Sequence, residues 1–311
     1  MTAPPASVPA LPAPAPGRAL RDWVSLAKPG ITALIVTVAV GGFLLADPRS
    51  IDATRLLLLV ATGAAASAGA AMLNHYLDRD LDARMKRTRG RPLPGARIDP
   101  STSVAAVGLA LLAAGIGAAT LLLNPLTGFS IFLGGLTYVV VYTAWLKRRS
   151  SWNIVIGGFA GSAPALAGSA AAAGDWTAGA IALAVLVFLW TPPHFWSLAL
   201  LLKDDYQRAG LPMLPDMRNV GFSGKVVVVS AALLVPAALG VGLTGAIAWP
   251  VLVALLALGV GFVAVTLPLW RTVTPATARR GFVYSGPYLL GVVLAILANV
   301  PLLRLGFAGG L

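Results

Sequence analysis

Three oxygen-bearing side chains recur at a helical spacing near residue 78. They are Asn74, Asp78 and Asp82, and on an α-helix this spacing places them along one face. Asp80 lies between them and points in roughly the opposite direction. Two carboxylates and one amide oxygen are hard ligands of the kind that Mg²⁺ takes, usually together with water and substrate phosphate. The spacing therefore predicts that all three bind a metal and that the two aspartates are catalytic.

A dense run of basic residues follows this stripe directly. It contains Arg84, Lys86, Arg87, Arg89 and Arg91. Carboxylates that hold a metal beside such a cluster suit a diphosphate, because the metal bridges its oxygens while arginine and lysine neutralise the remaining charge. We expect Lys86, Arg87 and Arg91 to bind it. The alternative is a membrane-boundary helix end with solvated charges, although acidic clusters there are costly without a partner.

A second acidic segment, Lys203-Asp204-Asp205, begins a polar loop that extends to Pro215. By itself this segment is equally well explained as a solvated loop. Both acidic segments, however, follow even-numbered hydrophobic segments, which places them on one side of a membrane. We therefore expect the second to complete the site, with Asp204 and Asp205 as catalytic metal ligands and Lys203 as a substrate contact.

The composition requires that these residues be positioned by membrane-spanning helices. Of 311 residues, 58% are hydrophobic and 11% are charged, with a mean hydropathy of +0.83, whereas soluble domains carry roughly 25% charged residues. There is no cysteine, which excludes disulfides, thiolate catalysis and cysteine-bound metals. Two histidines are too few for a three-histidine metal site.

Nine hydrophobic segments are long enough to cross about 30 Å of hydrocarbon. Their approximate bounds are 28–46, 55–75, 103–123, 127–146, 153–173, 178–200, 226–248, 250–270 and 283–303. Glycine and alanine are frequent throughout, which suits close helix contact in lipid. The predicted fold is an all-α integral membrane bundle of nine transmembrane helices.

The basic residues indicate how the bundle is oriented. Of 23 lysines and arginines, 20 fall on one side of the predicted spans, and only Arg49, Arg55 and Arg304 fall on the other. The positive-inside rule then places the N-terminus and both acidic loops in the cytoplasm, with the C-terminus outside a cell (inner) membrane. The net charge of +12 is explained by this orientation and by anionic lipid, so nucleic acid is not an expected partner.

The chain divides into two predicted regions. Residues 1–20 are mostly alanine and proline, which predicts a disordered cytoplasmic tail, and 21–311 form the transmembrane domain. Aromatic residues cluster at the predicted cytoplasmic boundary, as in an interfacial belt. Two residues at the end of the fourth span, Tyr142 and Lys147, are further candidates for diphosphate contact.

Several strings of residues resemble the UbiA superfamily of intramembrane prenyltransferases and, within it, the protohaem IX farnesyltransferases (haem O synthases). The similarity extends from about residue 20 to 300, outside the tail. The strings are Arg21-Asp22-Trp23 with Lys28-Pro29-Gly30, Asp78 to Thr88, Trp145-Leu146-Lys147-Arg148, Asn153 to Gly158, Trp190 to Trp196, and Lys203 to Pro215.

The resemblance implies a nine-helix UbiA-like fold and transfer of a farnesyl group from farnesyl diphosphate to a vinyl group of haem b. Water supplies a hydroxyl group, and the products are haem O and diphosphate. The implied cofactor is Mg²⁺, and haem b is the second substrate. The implied partners are the lipid bilayer, in which the chain is embedded, and a haem A synthase or terminal oxidase that would receive haem O. Many members show Asp-x3-Asp in the second loop; here Arg208 and Ala209 stand four residues after Asp204 and Asp205, which leaves the metal ligand open between those two.

The two histidines have alternative roles. His194 follows Pro192-Pro193, which predicts a kink or break in the sixth span. It would bind the haem iron or hydrogen-bond a carbonyl that the kink frees. His75 is offset by one residue from the acidic stripe, which favours packing over iron ligation.

Two other functions remain as alternatives. A UbiA relative with another aromatic acceptor, such as 4-hydroxybenzoate, would use the same diphosphate chemistry. A transporter is disfavoured because no aspartate lies in the middle of a predicted span, where an ion relay would need one.

Overall fold

The computed structural model describes residues 16–98, 101–213 and 219–307, and the elements assigned in them are helical. The first helices are α1 (Pro16–Leu26), α2 (Pro29–Ala46), α3 (Ala53–Arg84), α4 (Ser101–Leu122) and α5 (Pro125–Leu136). A π-helix (Thr137–Trp145) and a 3₁₀ turn (Leu146–Arg148) continue α5. Then follow α6 (Asn153–Gly157), α7 (Phe159–Ala173), α8 (Ala178–Leu201), α9 (Lys203–Ala209), α10 (Val220–Ala232), α11 (Leu234–Leu243), α12 (Trp249–Thr266), a 3₁₀ turn (Leu267–Trp270) and α13 (Pro275–Arg304).

In the described ranges, nine helical stretches are long and apolar enough to span a membrane, which confirms the predicted number. Four of these spans differ from the hydropathy-based bounds by five or more residues at one end or both. The first begins at Ala19, the second extends to Arg84, the seventh covers Val220–Leu243, and the ninth begins at Pro275. Caps explain the last two starts, because Asn219 accepts from Phe222 N and Thr274 forms a capping box. Hydropathy marks apolar centres, whereas polar caps set helix ends.

Small residues let the spans approach closely. A Cβ atom added to Gly108 of α4 would lie 3.0 Å from the carbonyl oxygen of Gly69 in α3, and one on Gly42 of α2 would lie 2.7 Å from Ala165 Cα in α7. Such contacts replace the hydrophobic driving force that is absent between helices in lipid. α8 joins the two halves of the bundle, since it packs against α2 and α7 on one side and α10, α11 and α13 on the other.

The helix α1 begins within the region predicted as a tail. Leu26 of α1 is fully buried, and Trp23 packs on the same cluster. Arg97 holds α1 to the first acidic loop by donating to both carboxylate oxygens of Asp22, at 2.9 and 3.0 Å. Residues 16–20 are therefore helical, while residues 1–15 and 214–218, the latter within the predicted second loop, lie outside the described residues.

Candidate active site

The Asn74–Asp82 stripe occupies the end of α3 and faces inward. Asn74, Asp78 and Asp82 are 4%, 1% and 3% exposed, whereas the side chain of Asp80 is 49% exposed. Asp80 instead forms a fork with Arg148, whose guanidinium donates to both of its carboxylate oxygens at 2.6 and 2.7 Å. The helical spacing therefore separates a buried face from a surface ion pair, as the sequence predicted.

Asp78 is the centre of a buried polar network. Its Oδ2 accepts from Lys147 Nζ at 2.5 Å and from Asn74 Nδ2 at 2.8 Å. Its Oδ1 is buried and has no hydrogen-bond partner among the described residues. A buried carboxylate oxygen without a donor is costly, so this atom is suited to receive a cation.

Lys28 approaches the same network from the break between α1 and α2. Its backbone has the left-handed conformation, with φ of 47°, and the residue immediately precedes the first turn of α2. Nζ donates to Asn74 Oδ1 at 2.5 Å and to the hydroxyl of Tyr138 at 3.0 Å. Sequence reasoning did not identify Lys28 or Tyr138 as site residues. The signal available was a lysine directly before Pro29, at the start of a span.

A π-helix supplies the opposite wall of the network. Thr143 Oγ1 donates to Tyr138 O, five residues earlier, and accepts from Asn74 Nδ2 at 3.0 Å. The rings of Tyr138 and Tyr142 stack with centroids 6.2 Å apart, and Lys147 Nζ lies 5.9 Å from the Tyr142 ring. The wider π turn brings this set against α3, and such turns are frequent at functional sites.

Asp82 is held by the basic loop. Arg91 donates to its Oδ2 at 2.7 Å, and Thr88 Oγ1 donates to its backbone carbonyl at 2.9 Å. His75, two helical turns earlier, places Nδ1 4.0 Å from the same oxygen and is 4% exposed. Its Nδ1 has no hydrogen-bond partner in the described part of the chain. His75 thus lies within the site.

The second acidic loop joins the first through Asp205. Its carboxylate accepts from the backbone nitrogens of Lys86 and Arg87, both at 3.4 Å, and from the side chain of Arg208. The Arg208 guanidinium is the main cause that holds the pKa of Asp205 below its usual range, against the opposing effect of burial. Asp205 is 6% exposed, so this carboxylate is buried against the first loop.

Asp204 and Lys203 line a cleft of about 430 Å³ at the end of α8, which Asp205, Lys86 and Arg208 also line. Asp204 is exposed, whereas Asp205 is buried. Lys86 and Arg87 are exposed, and it is their backbone nitrogens that donate to the Asp205 carboxylate. The structure brings together Asn74, Asp78, Asp82, Arg91, Tyr142 and Lys147, and it joins Asp205 to them through the loop.

His194 lies apart from this network. Of the predicted kink or break, the break is absent, because α8 continues as one helix through Pro192 and Pro193. Prolines are tolerated within a membrane helix where the surrounding protein compensates for the lost backbone hydrogen bonds. His194 Nδ1 bonds Ser285 Oγ of α13 at 2.5 Å. Among the described residues, the ring makes no hydrogen bond to a carbonyl that the prolines free.

The side chains present fit Mg²⁺ only if the substrate completes its coordination. In the described ranges, no three carboxylate or imidazole groups converge on one point. Mg²⁺ usually takes one or two protein carboxylates plus phosphate oxygens and water. Asp78 Oδ1, which has no partner among the described residues, and the carboxylate of Asp82 supply this kind of donor set, and Lys147 and Arg91 beside them are cations for an anionic ligand.

Comparison with solved structures identifies the same architecture. The chain aligns with a solved structure from work on digeranylgeranylglyceryl phosphate synthase in membranes, at a TM-score of 0.75 and 16% identity. The alignment covers 91% of this chain and 99% of that one. A UbiA homologue from Archaeoglobus fulgidus, bound to GPP and Mg²⁺, gives a TM-score of 0.67 with 15% identity over 89% and 99% of the two chains. At these identities the likeness shows the fold.

Sequence comparison shows the family. The model of the UbiA prenyltransferase family matches residues 34–286. Protoheme IX farnesyltransferase of Metallosphaera sedula is 41% identical over 277 residues, covering 88% of this chain and 94% of the relative. Protoheme IX farnesyltransferase of Sulfurisphaera tokodaii is 39% identical over 286 residues, covering 90% and 93%. The match over residues 34–286 and these identities show that the chain belongs to the UbiA prenyltransferase family.

Proposed function

We propose that this chain is a protohaem IX farnesyltransferase, or haem O synthase, which joins the farnesyl group of farnesyl diphosphate to a vinyl group of haem b. Water supplies the hydroxyl group of haem O, and diphosphate and a proton are released. The observation that carries this function is the 39–41% identity to relatives of that name over about nine-tenths of the chain. The carboxylate–cation network at the end of α3 supports it independently, because prenyl transfer must stabilise a departing diphosphate.

The first half of the reaction breaks an allylic carbon–oxygen bond. Magnesium, when bound, stabilises the negative charge that develops on the diphosphate. Asn74, Asp78, Asp82 and Asp205 are the residues that we propose to hold it. Three of these four residues accept hydrogen bonds of 2.5–2.7 Å from the side chains of Lys28, Lys147 and Arg91. In the complex, these cationic side chains would donate to the diphosphate oxygens.

The resulting allylic cation needs surroundings from which water is excluded. Below the site, an apolar cavity of about 70 Å³ lies between α2, α3, α5 and α7. Ser67 in its wall precedes Asn74 by two helical turns, which is about 10 Å along α3. The farnesyl tail would enter this space and extend beyond it into the bilayer region.

His194 is the residue that we propose for the haem acceptor. Its ring is stacked on Trp190 with centroids 4.5 Å apart, in a partly buried aromatic setting on α8. Such surroundings suit a flat apolar macrocycle. Its position seven residues before the end of α8 is about 10 Å from the acidic loop, which is compatible with an acceptor placed below the diphosphate.

The site is proposed to open to the cytoplasm, with the N-terminal tail on the same side and the C-terminus outside the cell membrane. The 20 to 3 distribution of basic residues supports this orientation. The contacts between the loops that follow the second and sixth spans agree with it, since they join the two loops on one face.

The test is turnover by the purified full-length chain in lipid nanodiscs. Incubation with haem b, farnesyl diphosphate and Mg²⁺ should yield haem O by mass spectrometry, and EDTA should abolish the product. Parallel reactions replace haem b with 4-hydroxybenzoate. Prenylated 4-hydroxybenzoate without any haem O would overturn the proposed acceptor and leave only prenyl transfer.

A further inference from the structure

The ring of His194 is fixed by three aromatic neighbours. Trp190 stacks on it at 17° between ring planes, Phe282 of α13 lies 5.2 Å away between centroids, and Phe195 meets it edge-on at 88°. The imidazole therefore has one well-defined plane. What remains to be set is which of its two nitrogens carries the proton.

Ser285 of α13 determines which nitrogen of His194 carries the proton. It is fully buried, and its Oγ lies 2.5 Å from Phe282 O and 2.5 Å from His194 Nδ1. A hydroxyl has one proton to donate. The carbonyl of Phe282 has none, so two oxygens at that distance require the serine proton between them. Ser285 must then accept from His194, which places the imidazole proton on Nδ1.

The backbone of Ser285 is held as well. Trp190 Nε1 donates to its carbonyl oxygen at 3.0 Å, so the residue that stacks on His194 also anchors the residue that hydrogen-bonds it. The chain of donors runs from His194 Nδ1 to Ser285 Oγ and on to Phe282 O. Each group has its partner, and the arrangement has one consistent proton assignment.

With the proton on Nδ1, the lone pair of Nε2 is free. Within the described residues, Nε2 has no hydrogen-bond partner, and the histidine is partly exposed. A histidine that ligates a metal commonly donates its other ring nitrogen to a fixed acceptor, which sets the tautomer and raises ligand basicity. The other histidine, His75, has no such acceptor in the described chain and lies against Asp82.

We infer that Ser285 is a positioning residue that holds His194 in the Nδ1–H form, with Nε2 presented to the iron of a porphyrin. This inference rests on the proposed haem acceptor, and it adds the residue that prepares the ligand. Ser285 contacts no substrate atom itself. Its effect is exerted through the orientation and basicity of the imidazole.

The experiment titrates the purified full-length chain in nanodiscs with haem b and records the Soret band and, after reduction, the iron–histidine stretching band by resonance Raman. His194→Ala should remove that band. Ser285→Ala should weaken haem affinity by about tenfold and shift the band to lower frequency, and Ser285→Thr, which keeps the hydroxyl, should restore it. Binding of farnesyl diphosphate with Mg²⁺ should be unchanged in all three.

A matched control is Ser162→Ala in α7. Ser162 is also buried and also donates to the carbonyl three residues earlier, Phe159 O at 3.0 Å, but has no imidazole partner. It should leave the stretching band unchanged. In a His194→Ala background, Ser285→Ala should cause no further loss of haem affinity. An equal loss with and without His194, or an unshifted band in Ser285→Ala, would overturn the inference.

The wild-type assay separates the two failures. Absence of haem O formation would refute the proposed function. If haem O formation is normal but neither Ser285→Ala nor His194→Ala changes the Soret band or the stretching band, only the proposed roles of Ser285 and His194 are refuted. If Ser285→Ala fails to fold, Ser285→Cys takes its place, because a thiol is a weaker acceptor than a hydroxyl. An unshifted stretching band in Ser285→Cys would then overturn the role of Ser285.

Discussion

Asp78 and Asp80 provide a matched pair of carboxylates, two residues apart on one helix, for testing the site assignment. We expect Asp78→Asn to lower kcat for haem O formation by about 10²–10³-fold, the range found when one group that stabilises transition-state charge is removed. We expect Asp80→Asn to lower it by less than about fivefold. Both substitutions preserve side-chain volume and remove one negative charge.

The structure explains the difference in magnitude. Asp78 is 1% exposed and accepts from Lys147 and Asn74, so its charge acts where water cannot screen it. The side chains of Asp80 and Arg148 are 49% and 37% exposed. An exposed pair contributes about 0–1 kcal/mol, and 1 kcal/mol corresponds to roughly a fivefold change in rate.

The assay measures initial rates by mass spectrometry at saturating farnesyl diphosphate and Mg²⁺. Because Asp78→Asn leaves Lys147 without its anion, which can cost about 3–5 kcal/mol of stability, thermal unfolding in detergent must accompany it. Rates are compared only between variants that are folded at the assay temperature. Equal losses in the two variants, or a near-normal rate for folded Asp78→Asn, would refute the assignment.

Three further outcomes are expected. Arg91→Ala should raise KM for farnesyl diphosphate by about tenfold, since a charged hydrogen bond contributes about 1.5 kcal/mol or more, whereas Arg89→Ala, at an exposed neighbour, should not. Equal KM values in the two variants would contradict the proposed contact between Arg91 and the diphosphate. Gly157→Ala should lower kcat, because its Cβ would lie 2.6 Å from the Tyr142 ring, whereas Gly161→Ala, with 3.9 Å to its nearest neighbour, should leave kcat unchanged. An unchanged kcat in Gly157→Ala would contradict a role for Tyr142 in the site. Reporter fusions after residue 175 should be periplasmic and those after residue 210 cytoplasmic. Finding both reporters on the same side of the membrane would contradict the predicted topology.

The buried stripe was predictable because local periodicity determines it. Residues four apart share a helix face whatever surrounds them, so Asn74, Asp78 and Asp82 could be separated from Asp80 without any tertiary information. The number of spans was predictable for a similar reason, since the length of an apolar run suffices. The helix ends at Val220 and Pro275 were not, because polar caps rather than hydropathy set them.

The partners of the stripe could not be read from spacing. Lys28 contacts Asn74 and Tyr138 across 46 and 110 residues of sequence. The π-helix that places Thr143 against Asn74 has no hydrophobic signature. Asp204 and Asp205 are adjacent, so only the orientation of α9 distinguishes the exposed one from the buried one. The Ser285 contact of His194 likewise joins positions 91 residues apart.

The pairing of Asp78 with Lys147 and of Asp82 with Arg91 has a consequence for ligand binding. A metal ion alone would have to compete with a cation already in contact, and a free diphosphate would meet cations already neutralised by carboxylates. When both bind, each carboxylate would exchange its cation for the metal and each cation would exchange its carboxylate for the diphosphate, so no charge is left without an opposite charge. Binding should therefore be mutually cooperative, each ligand increasing affinity for the other by the same factor. In calorimetric titrations, Mg²⁺ and a non-hydrolysable farnesyl diphosphate analogue should each bind weakly alone and tightly together.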